Sequence, residues 1–156
     1  MYFRIKNGSF ELIKGSPVQV AFEICFFARE DEVRRYAALP RDERRKDDLR
    51  RIEMQFGSDD IQYSDSEIEN HRRLAKELGL AESTNWWNVL LANMDYLAKL
   101  LEIPLCQDVQ QLNRAAIRIC AVELGLPRDA EWLSVIEVYR ERRDEILARF
   151  NYEFSG

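Results

Sequence analysis

The 156-residue chain contains one histidine, six glycines and four prolines, and this scarcity excludes several catalytic frameworks. No Gly-x-Ser-x-Gly nucleophile motif and no phosphate-binding glycine loop is present, and a single histidine cannot supply a histidine-rich metal site. The sequence therefore predicts a protein that is not an enzyme and that holds no cofactor.

Cysteine is also scarce, and the chain has no long uninterrupted apolar run. Cys25, Cys106 and Cys120 are widely spaced and form no CxxC pair, which is typical of free, buried thiols in a reducing compartment. No basic N-terminal stretch leads into an apolar segment, and the most apolar stretches (18–28 and 86–103) contain charged or polar residues. We therefore expect a cytoplasmic protein without a membrane partner.

The overall composition is that of a soluble globular chain. Apolar residues make up 46% and charged residues 33% of the sequence, and the length fits one domain spanning 1–156. A net charge of −5 gives no general attraction for nucleic acid.

What the chain does have is an internal repeat. Residues 69–104 and 115–150 are identical at nine of 36 positions, including Ala-x-Glu-Leu-Gly-Leu followed by tryptophan and valine. Such periodicity indicates a duplicated two-helix unit over 64–156. Gly79 and Gly125 are predicted to end the first helix of each unit in a left-handed conformation, and Ser83 and Asp129 to cap the second.

The segments before the repeat are predicted to form a β-hairpin over 1–15 and linking helices over 16–57. Asn7-Gly8 is a strong hairpin turn signal. Residues 17–28 are ambiguous: apolar residues alternate from Val18 to Phe26 as in a strand, whereas Ser16-Pro17 resembles a helix start. Helix is slightly favoured, and strand stays open. The fold class is thus mainly α: a helical-hairpin array of two 46-residue repeats with a small N-terminal β-hairpin.

A charged helix is expected from Arg41 to Phe56, closed by Gly57. A loop rich in acidic residues follows it, and a capping box of Ser64 and Glu67 opens the next helix.

The tryptophans suggest an interaction surface. Trp86 and Trp132 occupy equivalent repeat positions, which favours a packing role, whereas Trp87 corresponds to Leu133 and is the better candidate for exposure. We predict a protein-binding module (a small adaptor, regulator or inhibitor) whose partner is another protein, and a homo-oligomer is compatible with the same sequence. The predicted contact residues are Trp87, Asp59, Asp60 and Asp65.

A basic segment provides the alternative, a regulator that associates with nucleic acid. The candidate phosphate-binding residues are Arg34, Arg35, Arg44, Arg45 and Arg51. However, residues 41–53 contain six basic and five acidic side chains, so a self-paired, solvated helix is the favoured interpretation.

The third and most distant hypothesis is a metal-dependent hydrolase built on Glu67 and His71, which lie one helical turn apart. A metal site needs more ligands than these two, so no metal site is predicted, and His71 is expected to be an ordinary surface histidine.

Overall fold

The computed structural model describes residues 2–7, 9–55 and 63–154, and only the backbone of 51–55. The described chain is mainly helical, with a small antiparallel hairpin at its N-terminal end. A π-helical turn (Glu23–Phe27) connects α1 directly to α2. The strands are β1 (Phe3–Lys6) and β2 (Ser9–Leu12), and the helices are α1 (Pro17–Phe22), α2 (Ala28–Ala38), α3 (Arg41–Gln55), α4 (Asp65–Glu77), α5 (Trp86–Leu100), α6 (Val109–Glu123) and α7 (Trp132–Arg149). Among the described helices, none is long and apolar enough to cross a membrane.

The hairpin is anchored to the helices that follow it. Asn7 has a positive φ of 52°, as a tight turn requires, while Gly8 lies outside the described residues. The Tyr96 hydroxyl donates a hydrogen bond to the Ile13 carbonyl (2.9 Å), and Arg73 donates to a carbonyl of β2. A two-stranded sheet is marginal alone, so these contacts hold the hairpin in place.

The ambiguous segment 17–28 is helical, so the strand interpretation is wrong. The Ser16 side chain accepts a hydrogen bond from the Gln19 amide (3.3 Å), and Pro17 is the first helical residue. Every residue from 20 to 28 is buried. A helix that is buried on all sides carries no 3.6-residue apolar period, which is why its sequence resembled a strand.

This segment, rather than α5, forms the centre of the core. The sequence of α5 is apolar nearly all round, which predicts a central helix, but Trp87 of α5 is 44% exposed. The larger buried cluster joins the 20–28 segment to α5, α6 and α7. A second cluster packs the hairpin onto α4 and α5, and its buried members are Phe3, Leu12, Leu74, Ala75, Trp86, Val89 and Leu90.

The predicted glycine helix ends are confirmed. Gly79 and Gly125 have φ values of +78° and +79°. In each case the following leucine amide closes the helix by donating to the carbonyl five residues earlier, at 2.8 Å.

The predicted N-caps of the following helices are wrong. Asn85, not Ser83, caps α5 and accepts from the Asn88 amide (2.9 Å), and Glu131, not Asp129, precedes α7 without a side-chain cap. Each connection contains an extra turn. The Thr84 amide donates to the Ala81 carbonyl in the first connection, and the Ala130 amide donates to the Pro127 carbonyl in the second. This turn places the residue before each helix two positions later than the predicted cap.

A capping box of Ser64 and Glu67 opens α4, as predicted. Helix α3 begins at Arg41 as expected, but the predicted end at Phe56 and Gly57 lies outside the described residues.

A buried ion pair joins the hairpin to the central helix. Arg4 donates to both carboxylate oxygens of Glu23, with an Nε–Oε2 distance of 3.1 Å, and Glu23 is fully buried. Burial raises the pKa of Glu23 above its ordinary value, although Arg4 counteracts the shift. The carboxylate therefore depends on Arg4 to remain charged inside the protein.

Replacing Gly125 with valine should lower the free energy of unfolding by about 1 kcal/mol or more. Among the described residues nothing lies within 4 Å of an added Cβ, so the cost arises from the positive φ rather than from a clash. Urea denaturation measures the loss. Gly125→Asn is the control, because asparagine tolerates this conformation; equal losses in both variants would contradict the assignment.

Replacing Arg4 with methionine should destabilise the protein by about 3 kcal/mol near neutral pH, because it leaves a buried charge uncompensated. The pKa of Glu23 is higher in the folded protein than in the unfolded chain. The contribution of Glu23 to the free energy of unfolding is therefore greatest below its unfolded pKa, and it is lost as the pH rises through its folded pKa. Urea denaturation at pH 5 and pH 7.5 should therefore show that Arg4→Met loses less free energy of unfolding, relative to the unmodified protein, at the lower pH. The double variant Arg4→Met/Glu23→Gln should lose this pH dependence; an Arg4→Met deficit equal at both pH values would point to packing alone.

Candidate functional site

The structure describes two of the four predicted contact residues, Trp87 and Asp65. Trp87 is exposed on α5 while its neighbour Trp86 is buried, as the repeat alignment suggested. Asp65 is exposed as the first residue of α4, and Asp59 and Asp60 lie outside the described residues. A role for these residues in partner binding stays a prediction.

Two of the five candidate arginines hold helices α2 and α3 together. Arg35 makes a two-point contact with Asp47, with nitrogen–oxygen distances of 3.0 and 3.4 Å. Arg44 donates to the Ala37 and Leu39 carbonyls at the end of α2. The pairing that we expected within the charged helix thus occurs largely between helices, and it occupies side chains that would have to face phosphate.

The other three arginines differ in their surroundings. Arg34 lies 3.7 Å from the Glu30 carboxylate, and its guanidinium carbon lies 4.6 Å from the centroid of the Phe154 ring. Arg45 is exposed, and the side chain of Arg51 lies outside the described residues.

His71 is not the surface histidine that we expected. Its ring stacks on Trp86 with centroids 4.0 Å apart and meets the edge of Tyr63 at 4.5 Å. Its Nε2 atom is buried and has no hydrogen-bond partner among the described residues. Burial lowers the pKa of His71 to about 4, although Glu67 opposes the shift.

Glu67 is engaged elsewhere. Its carboxylate accepts hydrogen bonds from Arg50 (2.5 Å) and from the Ser64 amide (3.0 Å). Burial would raise the pKa of Glu67, but these bonds hold it below its ordinary value. Within the described ranges, no group of three or more potential ligands is arranged to hold a metal ion.

An open cavity of about 450 Å³ lies between the π-helical turn and α2 on one side and α7 on the other. We call it the α2–α7 groove. Its lining residues come from two distant parts of the chain and are Cys25, Phe26, Arg29, Glu30, Val33, Trp132, Ile136, Tyr139, Arg140 and Arg143.

Stacked aromatic rings build one wall of the groove. Phe26 stacks on Tyr139 with ring centroids 3.8 Å apart and lies 5.3 Å from the Trp132 ring. The Arg29 guanidinium carbon lies 5.5 Å from the centroid of Trp132. This stack fixes the groove's shape, because each ring is held by its neighbours.

Apolar side chains remain accessible beside this stack. Val33 is 66% exposed although it lies on a helix in the groove wall, and Ile136 is only partly buried on the facing helix. Exposed apolar surface that is grouped with aromatic rings is characteristic of interaction sites.

The groove is cationic on a chain that is acidic overall. Its lining contains three arginines and one glutamate, a local net charge of +2. Arg143 is paired with Glu30 at 2.5 Å, and this bond raises the pKa of Arg143. Arg29 and Arg140 are exposed and form no ion pair among the described residues.

Tyr139 adds a buried polar group to the same wall. Its hydroxyl has no hydrogen-bond partner within the described part of the chain, and burial raises the pKa of Tyr139 to about 12. At physiological pH it is therefore a neutral hydroxyl beside the Arg143–Glu30 pair.

No protein-family model matches this chain, and no curated protein and no solved structure is significantly similar to it.

Sequence reasoning missed the α2–α7 groove. Trp132, Ile136, Tyr139, Arg140 and Arg143 share one face of α7, at the spacing of successive helical turns. In the sequence, the apolar members have the spacing of a core stripe, and the arginines belong to a charged stretch that is typical of a solvated helix face. The sequence signal for the groove was that arginines follow the aromatic residues along this face of α7. The residues that face them from the other side of the groove lie about a hundred positions away in the sequence.

The chain's only histidine allows a direct test of the His71 environment. Its imidazole resonances should titrate with a midpoint of about 4, because the folded state disfavours the charged ring. The folded pKa lies below the unfolded value of 6.5, so the stability from this group is lost as the pH falls from 6.5 towards 4. NMR titration gives the midpoint, and Trp86→Leu should raise it; a midpoint near 6.5 in the unmodified protein would refute the buried environment.

Proposed function

We propose that this protein is a non-enzymatic protein-binding module, an adaptor, regulator or inhibitor that acts by covering a partner's surface through the α2–α7 groove. The observation that carries the proposal is the combination, in one groove, of exposed apolar side chains, an aromatic stack and two arginines that form no ion pair with any described residue. Tryptophan, tyrosine and arginine are the residues that most often dominate binding energy at protein interfaces.

The shape of the groove favours a macromolecule over a small metabolite. It is open to solvent, and its lining combines aromatic, apolar and charged side chains from two separate parts of the chain. Small-molecule sites enclose most of their ligand and aim a few polar groups at it. An open apolar groove with charged edges suits a side of another protein better.

The nucleic-acid alternative has less support. Arg35 and Arg44 are occupied by contacts between α2 and α3. The Val33 and Ile136 side chains of the groove offer nothing to a phosphate backbone. Arg45 and Arg51 keep the alternative testable.

We also propose that α4–α5 and α6–α7 are two copies of one helical-hairpin unit. The identical sequence motif, the matching glycine conformations and the equal 2.8 Å closing bonds support common descent of the two turns. A cytoplasmic location is part of the same proposal, and the three free cysteines are consistent with it.

Replacing Ile136 with glutamate should abolish capture of the partner without unfolding the protein, because Ile136 is only partly buried and a carboxylate there breaks the apolar contact. The experiment is affinity purification from the native host followed by mass spectrometry, with and without nuclease. A stoichiometric protein that survives nuclease and disappears with Ile136→Glu is the expected result.

The matched control is Val122→Glu, which introduces the same charge at a 58% exposed apolar position on α6, outside the groove. It should leave capture unchanged. Loss of capture with Trp87→Ala but not with Ile136→Glu would move the interface to α5. Partners that vanish with nuclease would favour the nucleic-acid alternative and direct mutagenesis to Arg45 and Arg51.

A further inference from the structure

We infer that the occupant of the α2–α7 groove is an amphipathic helix of the partner that carries two acidic residues about two turns apart, with apolar residues between them. This inference rests on the proposed function and specifies the chemistry of the partner at the same site.

The secondary structure of the walls selects a helix. Both walls are helical, so their backbone amides and carbonyls are already bonded within the helices. An extended peptide placed there would find no free strand edge to pair with and would have its own backbone groups desolvated. A helix satisfies its backbone internally and presents only side chains.

The two arginines that form no ion pair within the described part of the chain determine the charge of the occupant. Arg29 lies over the Trp132 ring, and Arg140 follows Trp132 by eight residues on α7. Eight helical residues span about 12 Å, close to the length of two turns. Acidic residues at positions i and i+7 of a bound helix, about 10 Å apart, would therefore face the two guanidinium groups.

Between the arginines the groove offers apolar contact. Ile136 lies midway between Trp132 and Arg140 on the same face of α7, and Val33 is exposed on the opposite wall. Leucine-type side chains at i+3 and i+4 of the bound helix would fill this space. The Arg143–Glu30 pair is already satisfied, so it would act as a neutral boundary at one end.

The chain's overall charge of −5 does not contradict an acidic occupant. At physiological ionic strength, charges separated by more than about 8 Å are largely screened. The side chains that line the groove carry a net charge of +2, so a partner in contact with them meets a cationic surface.

The test uses the full chain and three fluorescein-labelled, alanine-based helical peptides with leucine at i+3 and i+4. They carry glutamate, glutamine or lysine at both i and i+7, and fluorescence anisotropy measures their Kd. We expect the glutamate peptide to bind about fivefold tighter than the glutamine peptide, and the lysine peptide to bind weakest. Raising the salt concentration should reduce the difference.

A charge reversal gives the decisive comparison. Arg29→Glu/Arg140→Glu changes two exposed side chains and should invert the order, so that the lysine peptide binds tightest. Its melting temperature should match that of the unmodified protein. The control Arg118→Glu/Arg128→Glu reverses two arginines at a separate cavity beside α6 and should keep the original order.

The outcomes separate this inference from the proposed function. If all three peptides bind equally and all lose binding to Ile136→Glu, the groove takes apolar helices and the acidic specificity is wrong, while the binding-module proposal stands. If none binds, or if the order survives charge reversal, the inference is overturned. The capture experiment with Ile136→Glu then judges the proposed function independently.

Discussion

The fold depends on one buried charge pair. Glu23 lies on the most enclosed part of the chain, where an ionised carboxylate without a partner would cost several kcal/mol, and Arg4 reaches it from the first strand. This contact connects the two ends of the N-terminal segment and fixes how the hairpin is seated on the helices. A buried pair of this kind adds little net stability compared with an apolar replacement, but it penalises any other seating of the hairpin.

The α2–α7 groove is a consequence of that arrangement. The buried segment that holds Glu23 for the hairpin also carries Phe26, whose ring stacks on Tyr139 of α7. Helix α2 then continues beyond the crossing, so Val33 is exposed for lack of a covering element among the described residues. The apolar surface of the groove is therefore the part of the core that the described residues leave uncovered.

The sequence predicted local features better than it predicted the site. The glycine helix ends and the Ser64 cap follow from short-range backbone chemistry, so they could be recognised directly. The N-cap of α5 was placed two residues too early because an extra turn precedes the helix, and no single residue type signals such a turn. The groove could not be predicted, because its two walls meet only after tertiary packing has chosen which apolar stripes face each other.

The π-helical turn has a consequence for chain length. Its hydrogen bonds span five residues instead of four, so it accommodates one residue more than an α-turn would. Loss of one residue inside the turn could be absorbed by a return to α-helical geometry, whereas loss of one residue within α2 would rotate every later side chain by about 100° about the helix axis. The angular phase between the buried Glu23 and the groove residue Arg29 is thus set by this single turn, which makes it a point where loss of one residue is tolerated without rotating the side chains that line the groove.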